Sequence, residues 1–297
     1  KDINWFMKKR IKLVLFFNHF RGIEVLKNLI KKKYIIQKIF LSKKNLNIKI
    51  IPFLKKKNFN YEIINEVNNY KIISYIKKYN IDFNIIAGFP YIFKKDLLNA
   101  ANHATINLHG GRLPEYKGAS TLNWQIINGE KKIGISIIKA NEGIDKGNIL
   151  GFSSFLLKKS YDISDVHHIA NNRFAKLLPT VLKKFINNKI IFLANIGGKN
   201  YKQRNSSDGL IIWKKMSKEK AFNFVRAITK PYPGAFSYLR KKKSKIIIFK
   251  CKPYKCSAKY RPGFIFNKND SFFVKCKTGC IKLLEFSGKI NSGDTFN

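Results

Sequence analysis

The sequence predicts an α/β protein with a mostly parallel sheet and helices on both of its faces, followed by a small β-barrel domain. Three observations predict this class. Apolar runs of strand length alternate with helical patterns along residues 11–188, a polar and weakly patterned stretch covers 195–208, and short strand-like runs then follow one another closely. Alternating strands and helices are typical of parallel sheets, and closely spaced short strands are typical of small barrels.

The alternation begins with IKLVLFFN at 11–18, an apolar run of strand length, and continues at 22–32 with apolar side chains at helical spacing. Further strands are predicted at 34–41, 49–53, 82–89, 104–109, 131–140 and 149–157. Further helices are predicted at 66–80, 121–129 and 162–188, the last with Pro179 inside it. Together they predict a Rossmann-like sheet, whose ligands bind outside the carboxyl ends of the strands.

The pattern changes in the last third of the chain. Residues 195–208 are predicted to link a first domain, 1–194, to a second, 209–297. The second domain is predicted to open with a helix at 217–228. Short strands are then expected at 234–238, 245–251, 263–266, 272–276 and 280–286. So many short strands in so few residues predict an OB-like barrel.

The chain is strongly basic, because 59 Lys and Arg residues against 17 Asp and Glu residues give a formal net charge of +42. Such a charge is typical of proteins that bind nucleic acid or anionic lipid. However, lysines occur in nearly every segment, and Asn, Ile, Phe and Tyr are also abundant, as expected when codon composition shifts toward A and T. We therefore favour a general compositional bias over a dedicated nucleic-acid surface.

The cysteines and the N-terminus bear on location. Cys251, Cys256, Cys276 and Cys280 have C-x4-C and C-x3-C spacings, not the paired C-x2-C of zinc ribbons, so buried thiols in a reducing cytosol are expected rather than a metal site. No 18-residue apolar run is free of charges, which argues against a membrane-spanning helix. KDINWFMKKR, which contains Met7, is followed by too short an apolar stretch for a secretory signal. A cytoplasmic protein is expected, and its oligomeric state stays open.

The chemistry concentrates where the predicted strand 104–109 ends. Asn107 and His109 share one face of this strand, because alternate residues point the same way. An Asn side-chain N–H can stabilise an oxyanion, and an imidazole can donate to that oxygen or move a proton. Asp145, in a glycine-bounded turn after the expected neighbouring strand, supplies a carboxylate that can tune the histidine. This set of side chains predicts acyl transfer.

The order N-x-H, then LP-x-[YW]-[RK]-G, then D-x-G resembles the folate-dependent formyltransferases. Here it reads INLHGGRLPEYKGA at 106–119 and GIDKGNIL at 143–150. The resemblance implies that the N-terminal domain takes 10-formyltetrahydrofolate and moves its formyl group to an amine, with no metal. It implies that Asn107 holds the formyl oxygen, that His109 is proton donor and oxyanion partner, and that Asp145 orients His109 and tunes its charge.

The same resemblance implies two further sets of site residues. Those expected to bind the folate are Gly88, Phe89, Pro90, Tyr91, Ile92, Gly143 and Ile144. Those expected to form a substrate loop are Gly111, Arg112, Leu113, Pro114, Tyr116, Lys117 and Gly118. The loop departs from the family at Gly111 and Arg112, where relatives have Ser and Leu, so the serine hydroxyl is missing.

Three more segments bear on the acceptor. LNWQIINGE at 122–130, DGLIIW at 208–213 and RAITKPYPGAFSY at 226–238 resemble the formyltransferases of nucleotide-linked amino sugars, such as the domain that modifies UDP-4-amino-arabinose. Ile212 departs from the family, which has Asp before the Trp. Methionyl-tRNA formyltransferases share the overall plan, and the net charge and small β domain suit tRNA. We predict a nucleotide-linked amino sugar as the acceptor, with methionyl-tRNA as the alternative. An inactive binding module is a remote third possibility, disfavoured because Asn107, His109 and Asp145 are all present.

Overall fold

The computed structural model describes residues 10–241, 243–256 and 259–297, so the N-terminal stretch with Met7, and Lys242 of one lysine run, lie outside it. The chain divides into two compact units. The larger unit runs to Gly118 and then takes in two more segments, Gly134–Ser154 and His168–Asn200. The smaller unit contains Ala119–Ile133, Phe155–His167 and the residues from Tyr201 onward. The predicted linker, 195–208, stays a prediction.

The strands of the described residues have the following bounds: β1 Lys12–Phe16, β2 Ile35–Ser42, β3 Tyr61–Ile64, β4 Phe83–Ile86, β5 Ala104–His109, β6 Tyr116–Gly118, β7 Lys132–Lys139, β8 Ile149–Leu156, β9 Lys199–Tyr201, β10 Ala235–Tyr238, β11 Lys245–Tyr254, β12 Ile265–Lys268, β13 Ser271–Lys275 and β14 Cys280–Ser287. The α-helices are α1 Phe20–Lys31, α2 Ile51–Lys56, α3 Tyr70–Lys78, α4 Lys95–Leu98, α5 Thr121–Ile127, α6 Ile163–Ile186 and α7 Lys218–Ile228. Short 3-10 helices occupy Ile48–Ile50 and Ser206–Gly209.

A seven-stranded sheet in the order β3-β2-β1-β4-β5-β7-β8 forms the main scaffold. Strands β1 to β5 pair in parallel, and β7 pairs antiparallel to β5. All residues of β4 are buried, as are four of the five in β1, which explains why these strands read as continuous apolar runs rather than as alternating ones. The predicted mostly parallel α/β sheet is therefore confirmed.

Local signals place several helix ends. The side chain of Asn69 accepts a hydrogen bond from the Ile72 N–H at the start of α3, and Ser217 does the same for Lys220 at the start of α7. Such caps satisfy N–H groups that have no partner within the helix. The long predicted helix is present as α6 and contains Pro179, as expected.

The strand predicted at 49–53 is wrong. A 3-10 helix leads into α2 there, and the edge strand of the sheet is β3, Tyr61–Ile64, which the sequence analysis missed. Pro52 lies in the first turn of α2. A backbone N–H there has no intrahelical partner, so proline, which lacks this N–H, costs the helix no hydrogen bond. The buried side chains are Ile50 and Leu54, four residues apart. A short apolar run fits both a strand and a helix by periodicity, so its pattern was ambiguous.

In the smaller unit, an antiparallel sheet has the order β10-β11-β14-β13-β12, which confirms the predicted C-terminal β domain. Its core contains Trp213, which stacks on Phe296 with ring centroids 5.3 Å apart and planes 8° from parallel. The indole Nε1 donates to the Ser237 hydroxyl at 2.9 Å, so the buried polar atom is satisfied.

Two of the four cysteines differ from the prediction of buried thiols. Cys256 and Cys280 form a disulfide, with Cα atoms 5.9 Å apart. Pairing of β11 with β14 sets Tyr254 opposite Cys280, and Cys256 follows two residues later, a proximity that sequence spacing does not reveal. Cys251 and Cys276 are free and buried, as predicted. Burial raises the pKa of Cys276 to about 12 and also raises the pKa of Cys251.

Within the described ranges, no helix combines the length and apolarity needed to cross a membrane. The same residues hold no group of three or more His, Cys, Asp or Glu side chains placed for a metal ion.

Phe296→Ala should lower the free energy of unfolding of the smaller unit by about 3–5 kcal/mol, because it removes the ring on which Trp213 stacks and leaves a cavity. Denaturant titration followed by tryptophan fluorescence measures this. Leu284→Ala, at a side chain 45% exposed, is the control and should change stability by no more than about 0.5 kcal/mol. Equal effects of the two substitutions would contradict this account of the core.

Candidate active site

The candidate site forms at the carboxyl end of β5, where Asn107 and His109 lie two residues apart. β5 is held by β4 on one side and by β7 on the other, with Ile86 opposite Asn107 and Ser136 opposite His109. His109 is only 6% exposed. Both polar side chains are therefore fixed by a strand that is paired on both edges.

Asp145 joins the two side chains, as the sequence analysis expects. Its Oδ1 atom accepts from Asn107 Nδ2 at 3.2 Å and lies 3.2 Å from His109 Nδ1. Its Oδ2 atom accepts from the Gly118 backbone N–H at 2.9 Å. Asp145 itself has a φ of 50°, in the left-handed region that Asp adopts more readily than most residues. One carboxylate thus connects β5, the turn after β7, and the end of the predicted substrate loop.

The environment of Asp145 sets its ionisation. Burial alone raises the pKa of this carboxyl, and four effects oppose burial: the hydrogen bond from His109, the charge of His109, the Gly118 N–H and the charge of Lys117. The opposing effects prevail, so the pKa of Asp145 lies below its ordinary value of 3.8. Asp145 is a carboxylate at neutral pH and gives His109 a buried negative partner.

His109 has an acceptor at each ring nitrogen. Nδ1 faces the Asp145 carboxylate, and Nε2 lies 2.6 Å from the carbonyl oxygen of Tyr116. Because a carboxylate and a carbonyl only accept, both contacts are satisfied only when both ring nitrogens carry hydrogen. The two acceptors therefore leave His109 the role of hydrogen-bond donor.

The predicted substrate loop is anchored to β7 by a hydroxyl. Ser136 Oγ donates to the Gly111 carbonyl at 2.8 Å and accepts from the Leu113 N–H at 3.0 Å. A Cβ on Gly111 would lie 2.3 Å from the Tyr116 carbonyl and 2.5 Å from His109 Nε2. A serine at this position would not fit the present geometry, so the glycine and the close His109–Tyr116 contact belong together.

The rest of the loop is placed in different environments. The Leu113-Pro114 peptide bond is cis, and Tyr116 is buried. Arg112 Nε lies 3.6 Å from Glu115 Oε1, with Arg112 half-buried and Glu115 exposed. Lys117 is 7% exposed, and its ammonium donates to the backbone carbonyls of Asn195 and Gly197 at 3.1 and 2.7 Å. The Lys117 ammonium therefore binds backbone carbonyls within the larger unit.

The predicted folate segment follows β4, the strand paired with β5. Phe89 contacts Tyr91, with ring centroids 5.5 Å apart, and the Tyr91 hydroxyl donates to the Asn65 carbonyl. Ile92 is 61% exposed, and Ile144, beside Asp145, is 55% exposed. Gly88 to Ile92 and Gly143 to Ile144 therefore present apolar side chains that are accessible.

Two residues at this site were missed by the sequence analysis. Asn195 donates through Nδ2 to the carbonyls of Asp145 and Gly147 at 2.7 and 2.9 Å. Arg21 donates at 3.0 Å to the carbonyl of Leu108, the residue between Asn107 and His109. Asn195 lies in a polar stretch without periodicity, and Arg21 is one of many basic residues, so neither had a signal that set it apart.

The family models match both parts of the chain. The model described as Formyl transferase covers residues 31–182, and the model described as Formyl transferase, C-terminal domain, covers 204–296. The chain belongs to the formyltransferase family. The resemblance inferred from the Asn–His–Asp order is thereby confirmed.

Individual relatives fall into different groups of the family. The chain is 35% identical over 257 residues to the bifunctional polymyxin resistance protein ArnA of Wigglesworthia glossinidia brevipalpis. This alignment covers 84% of the present chain and 36% of ArnA. The chain is 29% identical over 208 residues to a methionyl-tRNA formyltransferase of Caldanaerobacter subterraneus, which covers 68% of this chain and 64% of the relative. The chain thus spans less than two thirds of either protein.

A solved relative matches the fold over nearly the whole chain. The N-formyltransferase of Helicobacter canadensis, solved with folinic acid and dTDP-3-aminofucose, superposes with a TM-score of 0.70 and 18% identity, covering 93% of this chain and all of that one. At this identity the likeness establishes the shared fold of the formyltransferases.

Asp145→Asn should destabilise the protein in a pH-dependent way. Because the folded-state pKa is lowered, the carboxylate contributes stability at pH values above the unfolded pKa, and this contribution disappears as pH falls through the folded pKa. The difference in unfolding free energy between wild type and Asp145→Asn should be constant at neutral pH and shrink below about pH 4. Denaturant titrations across this range measure the difference. A gap that widens as pH falls would contradict the direction of the pKa shift.

Proposed function

We propose that this formyltransferase moves a formyl group from 10-formyltetrahydrofolate to the primary amine of a nucleotide-linked amino sugar. The observation that carries the proposal is the contact of Asn107 and His109 with one buried carboxylate, Asp145, at the end of β5. Two donors and a charge that orients one of them are what acyl transfer to an amine requires. This geometry also argues against an inactive binding module.

We assign roles to the three side chains. When bound, 10-formyltetrahydrofolate supplies a formyl carbon that forms a bond to the amine nitrogen and breaks its bond to N10, while one amine proton passes to N10. Asn107 donates to the formyl oxygen as negative charge develops there. By exchanging its Tyr116 carbonyl contact for one with the substrate, His109 Nε2–H stabilises the same oxygen. His109 then relays the amine proton, giving one proton to N10 and taking one from the amine nitrogen. Asp145 keeps His109 oriented and charged.

The donor segments fit an aromatic folate ring. Phe89 and Tyr91 supply aromatic faces, and Ile92 and Ile144 are exposed apolar side chains. A binding site for an aromatic ligand needs such accessible apolar groups beside a few polar ones. The Helicobacter canadensis relative was solved with folinic acid, which supports a folate as the ligand of this chain. We propose that Gly88 to Ile92, with Gly143 and Ile144, hold the donor.

The smaller unit contains a cavity of about 130 Å³, smaller than the roughly 300–1,000 Å³ of typical small-molecule pockets, so we propose that it takes one part of the nucleotide, such as a phosphate group. Its lining residues are Asn123, Arg204, Asn205, Ser206, Gly209, Ile228, Tyr232, Pro233 and Gly234. All three segments that resemble the nucleotide-sugar enzymes contribute to this lining. We propose that this convergence reflects one binding site for the nucleotide.

Arg204 is the cationic group of that cavity. Its guanidinium donates to the Asp208 carbonyl at 2.6 Å and lies 4.9 Å from the Trp124 ring and 5.3 Å from the Phe224 ring. Its Nε atom is buried and has no hydrogen-bond partner within the described residues. A guanidinium held between two aromatic rings is suited to a phosphate.

Methionyl-tRNA is the alternative acceptor. The net charge of +42 and the methionyl-tRNA formyltransferase among the relatives favour it. A tRNA makes many phosphate contacts, so its binding weakens steeply with salt, whereas a nucleotide sugar offers few. The salt dependence of the reaction therefore distinguishes a tRNA acceptor from a nucleotide sugar.

The cytoplasmic location of the protein stays a prediction.

His109→Ala and Asp145→Ala should each lower kcat by about a hundredfold or more, because each removes part of the proton-donating pair. Steady-state kinetics with 10-formyltetrahydrofolate measure this, with circular dichroism to verify folding. His168→Ala is the matched control, since His168 is exposed and bonds to Asn172 on its own helix. Turnover near the wild-type rate in either site variant would remove the mechanism proposed here.

The acceptor is identified by offering the purified full chain 10-formyltetrahydrofolate with either methionyl-tRNA or a panel of UDP- and dTDP-linked amino sugars. We expect a nucleotide sugar to be formylated, with kcat/KM changing less than about tenfold between roughly 50 and 200 mM salt. Formylation of methionyl-tRNA alone, with a steep fall over the same range, would overturn the choice of acceptor.

Arg204→Ala should raise the KM for that nucleotide sugar about tenfold, since it removes a charged hydrogen-bond donor to phosphate. The KM for 10-formyltetrahydrofolate should stay within about twofold. Arg261→Ala, which removes an exposed charge of the same kind, controls for net charge. An unchanged acceptor KM in Arg204→Ala would exclude the cavity as the nucleotide site.

A further inference from the structure

We propose that Asn195 is a positioning residue for formyl transfer, which holds the Asp145 turn in the conformation that brings its carboxylate to Asn107 and His109. The inference rests on the proposed function for its kinetic consequence and on the hydrogen bonds of Asn195 for its structural one. Asn195 lies at the start of the predicted linker, 195–208, where the sequence analysis places no site residue.

The side chain of Asn195 donates hydrogen bonds to the Asp145 turn. Its Nδ2 atom donates to the Asp145 carbonyl at 2.7 Å and to the Gly147 carbonyl at 2.9 Å. The side chain is buried, at 8% exposure. Two amide donors from one side chain therefore span three residues of the turn, on either side of Lys146.

The backbone of Asn195 is fixed by the substrate loop. Lys117 Nζ donates to the Asn195 carbonyl at 3.1 Å and to the Gly197 carbonyl at 2.7 Å. Gly118, the next residue after Lys117, donates through its N–H to Asp145 Oδ2. A closed ring results: Lys117 binds Asn195, Asn195 binds the Asp145 backbone, and the Asp145 carboxylate binds Gly118.

The turn needs such support. Asp145 has a φ of 50°, in the left-handed region that is unfavourable for a non-glycine residue. At Gly147, a Cβ would lie 1.7 Å from the Lys139 carbonyl, so the turn is packed directly against the end of β7. A buried amide that donates to two carbonyls stabilises this conformation by an amount comparable to its cost.

Removing the Asn195 donors leaves the Asp145 carboxylate in the chain but frees the turn that carries it. Because the carboxylate orients His109 and does not itself meet the substrate in the proposed mechanism, its displacement reduces the chemical step and not amine binding. Loss of positioning therefore lowers kcat while leaving KM for the amine nearly unchanged. The KM for the folate should rise, because Gly143 and Ile144 of the proposed donor site lie in the same turn.

The test compares three Asn195 variants with a matched control. Asn195→Ala removes the amide, Asn195→Asp keeps its shape but loses both donors, and Asn195→Gln restores a donating amide on a longer side chain. Asn200→Ala is the control, since Asn200 is exposed and lies five residues further along the same segment. Kinetics are measured on the full chain with both substrates, and hydrogen–deuterium exchange is measured on the peptide that covers 141–148.

We expect kcat to fall about tenfold or more in Asn195→Ala and Asn195→Asp, with the KM for the amine within about twofold of wild type. Asn195→Gln should recover at least part of kcat, and Asn200→Ala should match wild type. Exchange in the 141–148 peptide should rise in Asn195→Ala and Asn195→Asp alone. Wild-type kcat in a folded Asn195→Asp protein, or a loss confined to KM, would overturn the inference.

The two proposals fail differently. If wild-type protein formylates no amine, the proposed function fails, and the exchange of the 141–148 peptide still decides whether Asn195 holds the turn. If Asn195→Ala does not fold, the isosteric Asn195→Asp protein supplies the answer. Unchanged exchange in a folded Asn195→Asp protein would show that Asn195 does not hold the Asp145 turn.

Discussion

The carboxylate of Asp145 receives hydrogen bonds or charge from two separate parts of the larger unit, β5 and the substrate loop, and the candidate site depends on this. Its oxygens contact the Asn107 amide, the His109 ring and the Gly118 N–H. Burying a carboxylate is unfavourable unless such partners offset the lost hydration. Here they more than offset it, because the pKa of Asp145 falls below its ordinary value. The same charge keeps His109 a donor, so local stability and proposed chemistry share one cause.

The sheet supplies the rigidity that this arrangement needs. β5 is paired on both edges, and the antiparallel neighbour β7 places Ser136 opposite His109, where its hydroxyl anchors the loop at Gly111 and Leu113. The loop then returns the Tyr116 carbonyl to His109 Nε2. Position 111 must be glycine in this loop conformation, because any Cβ there would clash with the Tyr116 carbonyl and with His109 Nε2. The departure from the family's Ser-Leu is therefore consistent with a different local packing of the loop.

Much of the fold and the centre of the site followed from the sequence, and the exceptions have physical reasons. Strand alternation and the side-chain period of β5 predicted that Asn107 and His109 share a face. The glycine-bounded turn after the expected neighbouring strand supplied Asp145 as their partner, and the resemblance agreed with it. The run at 49–53 was assigned wrongly because a short apolar segment carries no decisive period. The Cys256–Cys280 disulfide and the contacts of Asn195 depend on which distant segments meet, which no local pattern encodes.

A double-mutant cycle on kcat tests most directly whether the Asp145 charge acts through His109. Asp145→Asn, His109→Gln and the double variant are compared with wild type under saturating donor and acceptor. If the carboxylate works by orienting and charging the imidazole, the double variant should be no slower than the slower single variant by more than about threefold. Losses that multiply across the two substitutions would show that the two side chains act independently, and would contradict the account.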